Sequence, residues 1–99
     1  MTALARVTVV EHVGGRTLRV GFSDGLVREL DFAGRLPGAL VAIDDDCVFA
    51  GASVDQVAGT VCWAAGIDLD PEVLHGDAAA AAPALQPRLV REYRVQQAG

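Results

Sequence analysis

The sequence predicts an α+β domain: a three-stranded antiparallel meander, a short helix, a second small β region, a further short helix and a helical C-terminal tail. Three observations carry that prediction. Between Arg6 and Phe32 apolar and polar residues largely alternate, interrupted twice by glycine-bearing turns. Asp44-Asp45-Asp46 and Asp70-Pro71-Glu72 each precede a short apolar stretch, as helix N-termini do. Leu85, Leu89 and Tyr93 stand at i, i+4 and i+8, the spacing of an amphipathic helix.

Arg6–Val13 (RVTVVEHV) is rich in β-branched residues and reads as the first strand. Gly14-Gly15 supplies the positive-φ residues of a tight hairpin. In Thr17–Phe22, Leu18, Val20 and Phe22 share one face, which is the pattern of a half-buried antiparallel strand. Ser23-Asp24-Gly25 is a second turn. Leu26–Phe32 follows as a third strand, although Arg28 has the parity of Leu26, Leu30 and Phe32; a bulge or an edge position would accommodate it. Gly34, Pro37 and Gly38 then break the alternation, giving a loop with a helical turn at Gly38–Val41.

The triple aspartate starts a short helix that Gly51 ends. Ser53–Asp55 reads as a fourth strand, Gln56–Gly59 as a turn and Thr60–Trp63 as a fifth strand. Gly66 turns the chain into the short extended Ile67–Leu69. At the next helix start Asp70 caps and Pro71 sits where its missing N–H costs nothing. Ala78–Ala82 and Pro83 have linker composition, though the alanines also suit a helix. These boundaries divide the chain into an α+β domain at 1–77 and a linker with an amphipathic tail at 78–99.

Ninety-nine residues allow one domain with one modest core. The composition is 52% apolar but only 5% aromatic, so that core rests on aliphatic side chains. No apolar run approaches the roughly 18–20 residues that span a bilayer, and no signal-peptide pattern is visible. A cytoplasmic location is expected. Cys47 and Cys62 are isolated, without metal-ligand or redox spacing, and read as buried small hydrophobes.

The net charge of −5 is unevenly spread: residues 1–82 hold twelve acids against five arginines, whereas residues 83–99 hold Arg88, Arg91 and Arg94 against Glu92. An acidic body repels phosphate backbones, which disfavours direct nucleic-acid binding and favours a basic protein partner.

With FSDG at 22–25 and GTVCWAAGIDLDPEVL at 59–74 in place, the chain resembles the small prokaryotic proteins grouped as domain-of-unknown-function family 2442. Their ordered elements are here Val7–Val10, Phe22–Gly25, Glu29–Asp31, Gly59–Trp63 and Gly66–Leu74. Ala64-Ala65 stand where the family usually has Pro-Asn, and His75 where it often has Tyr. The resemblance implies a small α+β domain without an assigned activity. It also implies a gene neighbourhood in which a second small protein is encoded alongside, similar to a toxin–antitoxin pair, with this chain as the antitoxin-like partner.

No residue set forms a catalytic motif, and none implies a cofactor. His12 and His75 have no nucleophile at a recognisable spacing. Trp63, Gly66, Leu69, Asp70 and Pro71 each have a structural task, and Trp63 is expected in the core. For partner binding the candidates are Leu85, Arg88, Leu89, Arg91 and Tyr93, in a helix that lies either in a partner's groove or against the domain's own sheet. The expected function is a non-catalytic, antitoxin-like interaction module for a small basic protein encoded nearby. The alternative is a small acidic enzyme or divalent-metal domain that gathers Asp44, Asp45, Asp46, Asp68 and Asp70. Metal ligands are not assigned, and the oligomeric state is left open.

Overall fold

A computed structural model describes residues 5–36, 38–64, 66–77 and 86–95. The meander is formed by β1 (Val7–Gly14), β2 (Thr17–Phe22) and β3 (Leu26–Asp31). A 3₁₀ helix (Gly38–Ile43) and the one-turn α1 (Asp46–Phe49) follow. A second antiparallel sheet contains β4 (Ser53–Asp55), β5 (Thr60–Trp63) and β6 (Ile67–Asp68), and α2 (Pro71–His75) comes after it.

The described part of the C-terminal tail, residues 86–95, is not helical. Residues Arg88–Arg94 form a strand, β7, antiparallel to β3, so the first sheet has four strands in the order β1-β2-β3-β7. A seven-residue helix would be marginal in isolation, whereas the free edge of β3 offers backbone partners along its whole length. Val90 is an extra residue in this pairing: Glu29 opposes Arg91 while Leu30 opposes Leu89. That bulge shifts the side-chain parity of β7, and the helical stripe is lost. Leu89, opposite the buried Leu30, and Tyr93, opposite Val27, lie on different faces of the sheet. Leu85 and the Ala78–Ala82 linker lie outside the described residues.

The turns follow from local chemistry. In the first hairpin only Gly15 has positive φ, while Gly14 ends β1 opposite Thr17. In the second, Asp24 Oδ1 accepts from the Leu26 N–H, and Gly25 adopts φ of +88°. Gly25 also answers a packing requirement, because a Cβ there would lie 2.7 Å from the Val95 carbonyl oxygen. The Val95 N–H donates to the Gly25 carbonyl at 2.7 Å, which ties the end of β7 to this turn.

Both helices are capped by aspartates. Asp45 accepts from the N–H groups of Cys47 and Val48, and Asp70 from that of Glu72, with Pro71 in the first turn. Arg28 is neither at an edge nor at the bulge. From the inner face it donates to the Leu74 carbonyl at the C-terminus of α2 and pairs with Glu92 at 3.0 Å. A cation at that end of a helix satisfies an orphan carbonyl and opposes the helix dipole.

The core lies between the inner face of the first sheet and the second sheet with the helices. Leu18, Val20 and Leu30 meet Val61, Ile43, Leu74 and Phe49 there, and all are essentially inaccessible. Trp63 is 3% exposed, and its indole N–H donates to the Phe49 carbonyl at 3.1 Å. The cysteines differ from the sequence reading: Cys47 is exposed and Cys62 half-buried. Among the described residues no helix is long and apolar enough to cross a membrane.

Two consequences are measurable. Truncation after Asp77 removes β7 and should cost about 2–4 kcal/mol, taking cross-strand pairs at roughly 0.2–1 kcal/mol each; a thermal melt should show a drop of about 10 °C or more. Asp70→Ala should cost about 1 kcal/mol through loss of the cap, read as a lower urea midpoint at unchanged slope.

Candidate functional site

The outward face of the four-stranded sheet carries two cross-strand rows. Val9, Gly21, Val27 and Tyr93 are successive register partners across β1, β2, β3 and β7. Together with Thr8, Arg19, Phe22, Gly25 and Val95 they line a mostly apolar groove of about 300 Å³. Val9, Val95 and Tyr93 remain 56%, 51% and 36% exposed. Glycine at position 21 removes the one side chain that would fill the middle of the row.

The second row is Glu11, Arg19, Glu29 and Arg91, again register partners on the same four strands. Arg19 bridges Glu11 at 2.9 Å and Glu29 at 3.2 Å, and Arg91 lies 3.7 Å from Glu29 while its guanidinium stacks 4.8 Å from the Tyr93 ring centroid. Glu29 is only 8% exposed, because the two arginine side chains cover it. The signs alternate across the sheet, and the row as a whole is neutral. Beyond it Arg88 pairs with Asp31 at 2.8 Å.

Of the residues proposed for partner binding, Arg88, Arg91 and Tyr93 therefore meet on this face, and Leu89 lies on the other. Val9, Gly21, Val27 and the acid–arginine row were not singled out from the sequence. The signal was present in the alternation of β1 to β3, but it needed the β7 register to be read.

The aspartates are divided among structural tasks. Asp44 and Asp46 both pair with Arg16, at 2.8 and 2.7 Å. Asp45 and Asp70 are caps. Asp68 lies on β6 in the second sheet, paired in register with Cys62. Among the described residues no three His, Cys, Asp or Glu side chains are placed to hold a metal ion.

The imidazoles are similarly engaged. His12 Nε2 contacts the Gly15 carbonyl at 2.9 Å, and its ring meets Phe49 edge-on. His75 stands between Asp24 and Asp77, at 2.8 and 2.9 Å, with its ring against Phe22. The nearest thiol–hydroxyl pair, Cys62 with Ser53 at 3.6 Å, has no imidazole contact.

Two carboxylates are shifted. Asp31 is held below the ordinary range by the Arg88 hydrogen bond and then by the Ala33 N–H, against a smaller opposing effect of burial. For Asp24 burial pushes upward, but the Leu26 N–H and the His75 contact outweigh it and the net shift is downward.

A small two-sheet α+β module with an open outer sheet face is the class that this geometry defines. Residues 7–78 match the family described as "Protein of unknown function (DUF2442)", and the chain belongs to that family. No curated protein and no solved structure matches it.

A carboxylate whose folded pKa lies below its unfolded value of about 3.9 stabilises the fold above that pH, and the contribution disappears as pH falls through the folded value. Asp31→Asn should therefore lower stability at pH 7. Its urea midpoint should fall less steeply than that of the parent chain from about pH 4 downward. Parallel pH profiles would contradict the assignment.

Proposed function

We propose that the chain is a non-catalytic protein-interaction module that meets a second, small basic protein through the acidic surface of the second sheet and α2. The supporting observation is the distribution of charge. Arg16, Arg19, Arg28, Arg88, Arg91 and Arg94 pair with Asp44, Asp46, Glu11, Glu29, Glu92, Asp31 and Asp24. Among the described residues no arginine pairs with Asp45, Asp55, Asp68, Asp70 or Glu72, so the negative surplus lies on the half of the chain built from residues 45–77. A negative surplus of this kind, which Arg6 at the Gln56 and Val57 carbonyls offsets only locally, steers an oppositely charged partner and repels nucleic-acid backbones.

An antitoxin-like role in the cytoplasm is the form of this reading that the family resemblance favours. The partner is then a small protein encoded nearby, and no cofactor is required. The functions of the two histidines and most aspartates as caps and bridges fit a module without catalysis.

The test is a pull-down from the native host followed by mass spectrometry, repeated with Asp68→Asn/Glu72→Gln, which leaves both aspartate caps intact. A small basic protein should be retained, its binding falling with salt and weakening in the double variant by roughly 1 kcal/mol or more. Retention of no such protein, or binding indifferent to salt and to the variant, would rule the reading out.

A further inference from the structure

The outer face of the four-stranded sheet combines two features: its charged row is balanced, and the row beside it is apolar. Antiparallel sheets commonly leave one face to water. Single apolar residues on such a face are ordinary, whereas here one complete row, Val9-Gly21-Val27-Tyr93, is apolar or side-chain-free across all four strands. A chain of net charge −5 repels its own copies over most approaches. On this face each carboxylate of the charged row is matched by an arginine, so two copies can meet without that penalty.

The order of charges goes further than neutrality. From β1 to β7 the row reads Glu11, Arg19, Glu29, Arg91, that is minus, plus, minus, plus. A two-fold axis parallel to the strands, passing between β2 and β3 in the plane of contact, sets the first position of one copy opposite the fourth of the other and the second opposite the third. Glu11 then faces Arg91 and Arg19 faces Glu29, each opposition occurring twice, as an isologous interface requires. The same operation on the apolar row sets Tyr93 over Val9 and Val27 over the gap at Gly21. A row of the opposite type, with like charges at its two ends, would repel itself under this axis. We infer that the chain forms a two-fold dimer in which the outer sheet faces stack, with the rows Glu11-Arg19-Glu29-Arg91 and Val9-Gly21-Val27-Tyr93 in register between copies.

This face is separate from the acidic surface assigned to a basic partner, so the two interactions are independent. The dimer seats Tyr93 of each copy over Val9 of the other, at the two ends of the apolar row, with Val27 and Gly21 at its centre. There the ring loses solvent beside an ion pair, the setting in which aromatic anchors contribute most. Two stacked sheets of this kind pack about 10 Å apart with a crossing near 30°, which the twist of each sheet provides.

The experiment is sedimentation equilibrium of the full chain at about 100 μM and below, with unfolding followed by circular dichroism on the same samples. The parent chain should be a dimer. Glu11→Arg and Arg91→Glu should each weaken it by about tenfold or more, because each opposes like charges twice. The double variant Glu11→Arg/Arg91→Glu restores opposite signs between the copies at every position, while within each copy it sets like charges beside Arg19 and Glu29. In samples that circular dichroism shows to be folded it should recover dimerisation relative to either single variant, a result that a structural role for either residue does not produce.

Gly21→Lys offers a second route that does not depend on the ion pairs. A Cβ at position 21 meets only Val9, at an ordinary 3.5 Å, so the variant should keep its fold, fill the groove and be monomeric. A monomeric parent chain would overturn the inference. So would a dimer unaffected by the single reversals and by Gly21→Lys, or one that the double variant fails to recover.

Discussion

The hydrogen bond from the Trp63 indole to the Phe49 carbonyl ties the second sheet to α1. The Phe49 ring, against His12 and Phe32, links both to the first sheet, and the two sheets would not be stable apart. A three-stranded sheet with strands of two to four residues buries too little to fold alone, and a meander with one exposed inner face fares no better. Phe49 is completely buried at their junction, with the rings of Trp63 and Phe32 at 5.6 and 5.9 Å and the Arg16 guanidinium at 5.7 Å. Three of the five aromatic residues therefore gather at one point. The aliphatic residues pack around them. Because this cluster decides which face of β1, β2 and β3 is inside, it also decides which residues are left on the outside.

The second constraint is electrostatic, and it acts through β7. On β3, Arg28 and Glu29 face opposite sides and neither can sit in an apolar environment unpaired. Glu92 completes Arg28 on the inner side, while Arg91 joins Arg19 in covering Glu29 on the outer side. At the ends of β7, Arg88 meets Asp31, and Arg94 donates to the Asp24 carbonyl. Individually such exposed pairs contribute little. Their number, along with the backbone ladder, explains why a strand with seven exposed residues holds its register.

These two constraints also separate what was legible in the sequence from what was not. The meander, the two short strands at 53–55 and 60–63 and the capped helix at Asp70 follow from information within a few residues: alternation, turn glycines and cap chemistry. β7 does not, because its partner is about sixty residues earlier and its alternation is broken at Val90. Leu89 and Tyr93 stand four residues apart in the sequence, which imitates a helical stripe, and the bulge then sets them on opposite faces. Phe49 was equally hidden, since a four-residue helix has no periodicity to reveal its buried face. The outer face needed both: the inside–outside choice made at Phe49 and the register set by β7.

Strand propensity favours Val and Tyr on either face, but the inner core does not account for a complete outward apolar row beside a neutral charged row. The inner face explains Leu18, Val20 and Leu30, but nothing in the core requires Val9 and Tyr93 to be apolar, since both project from the opposite side. Glu29 is the more telling residue. A carboxylate 8% exposed on the solvent side of a sheet is costly to desolvate, and replacing such an ion pair by apolar side chains is often neutral or stabilising. Its presence beneath two arginines makes physical sense where opposite charges must be presented in a defined order to something that approaches the face. An alternating row of four does so with the smallest number of charges that is both neutral and self-complementary about a two-fold axis. With a row of three the ends would carry the same sign, and this axis would then set like against like.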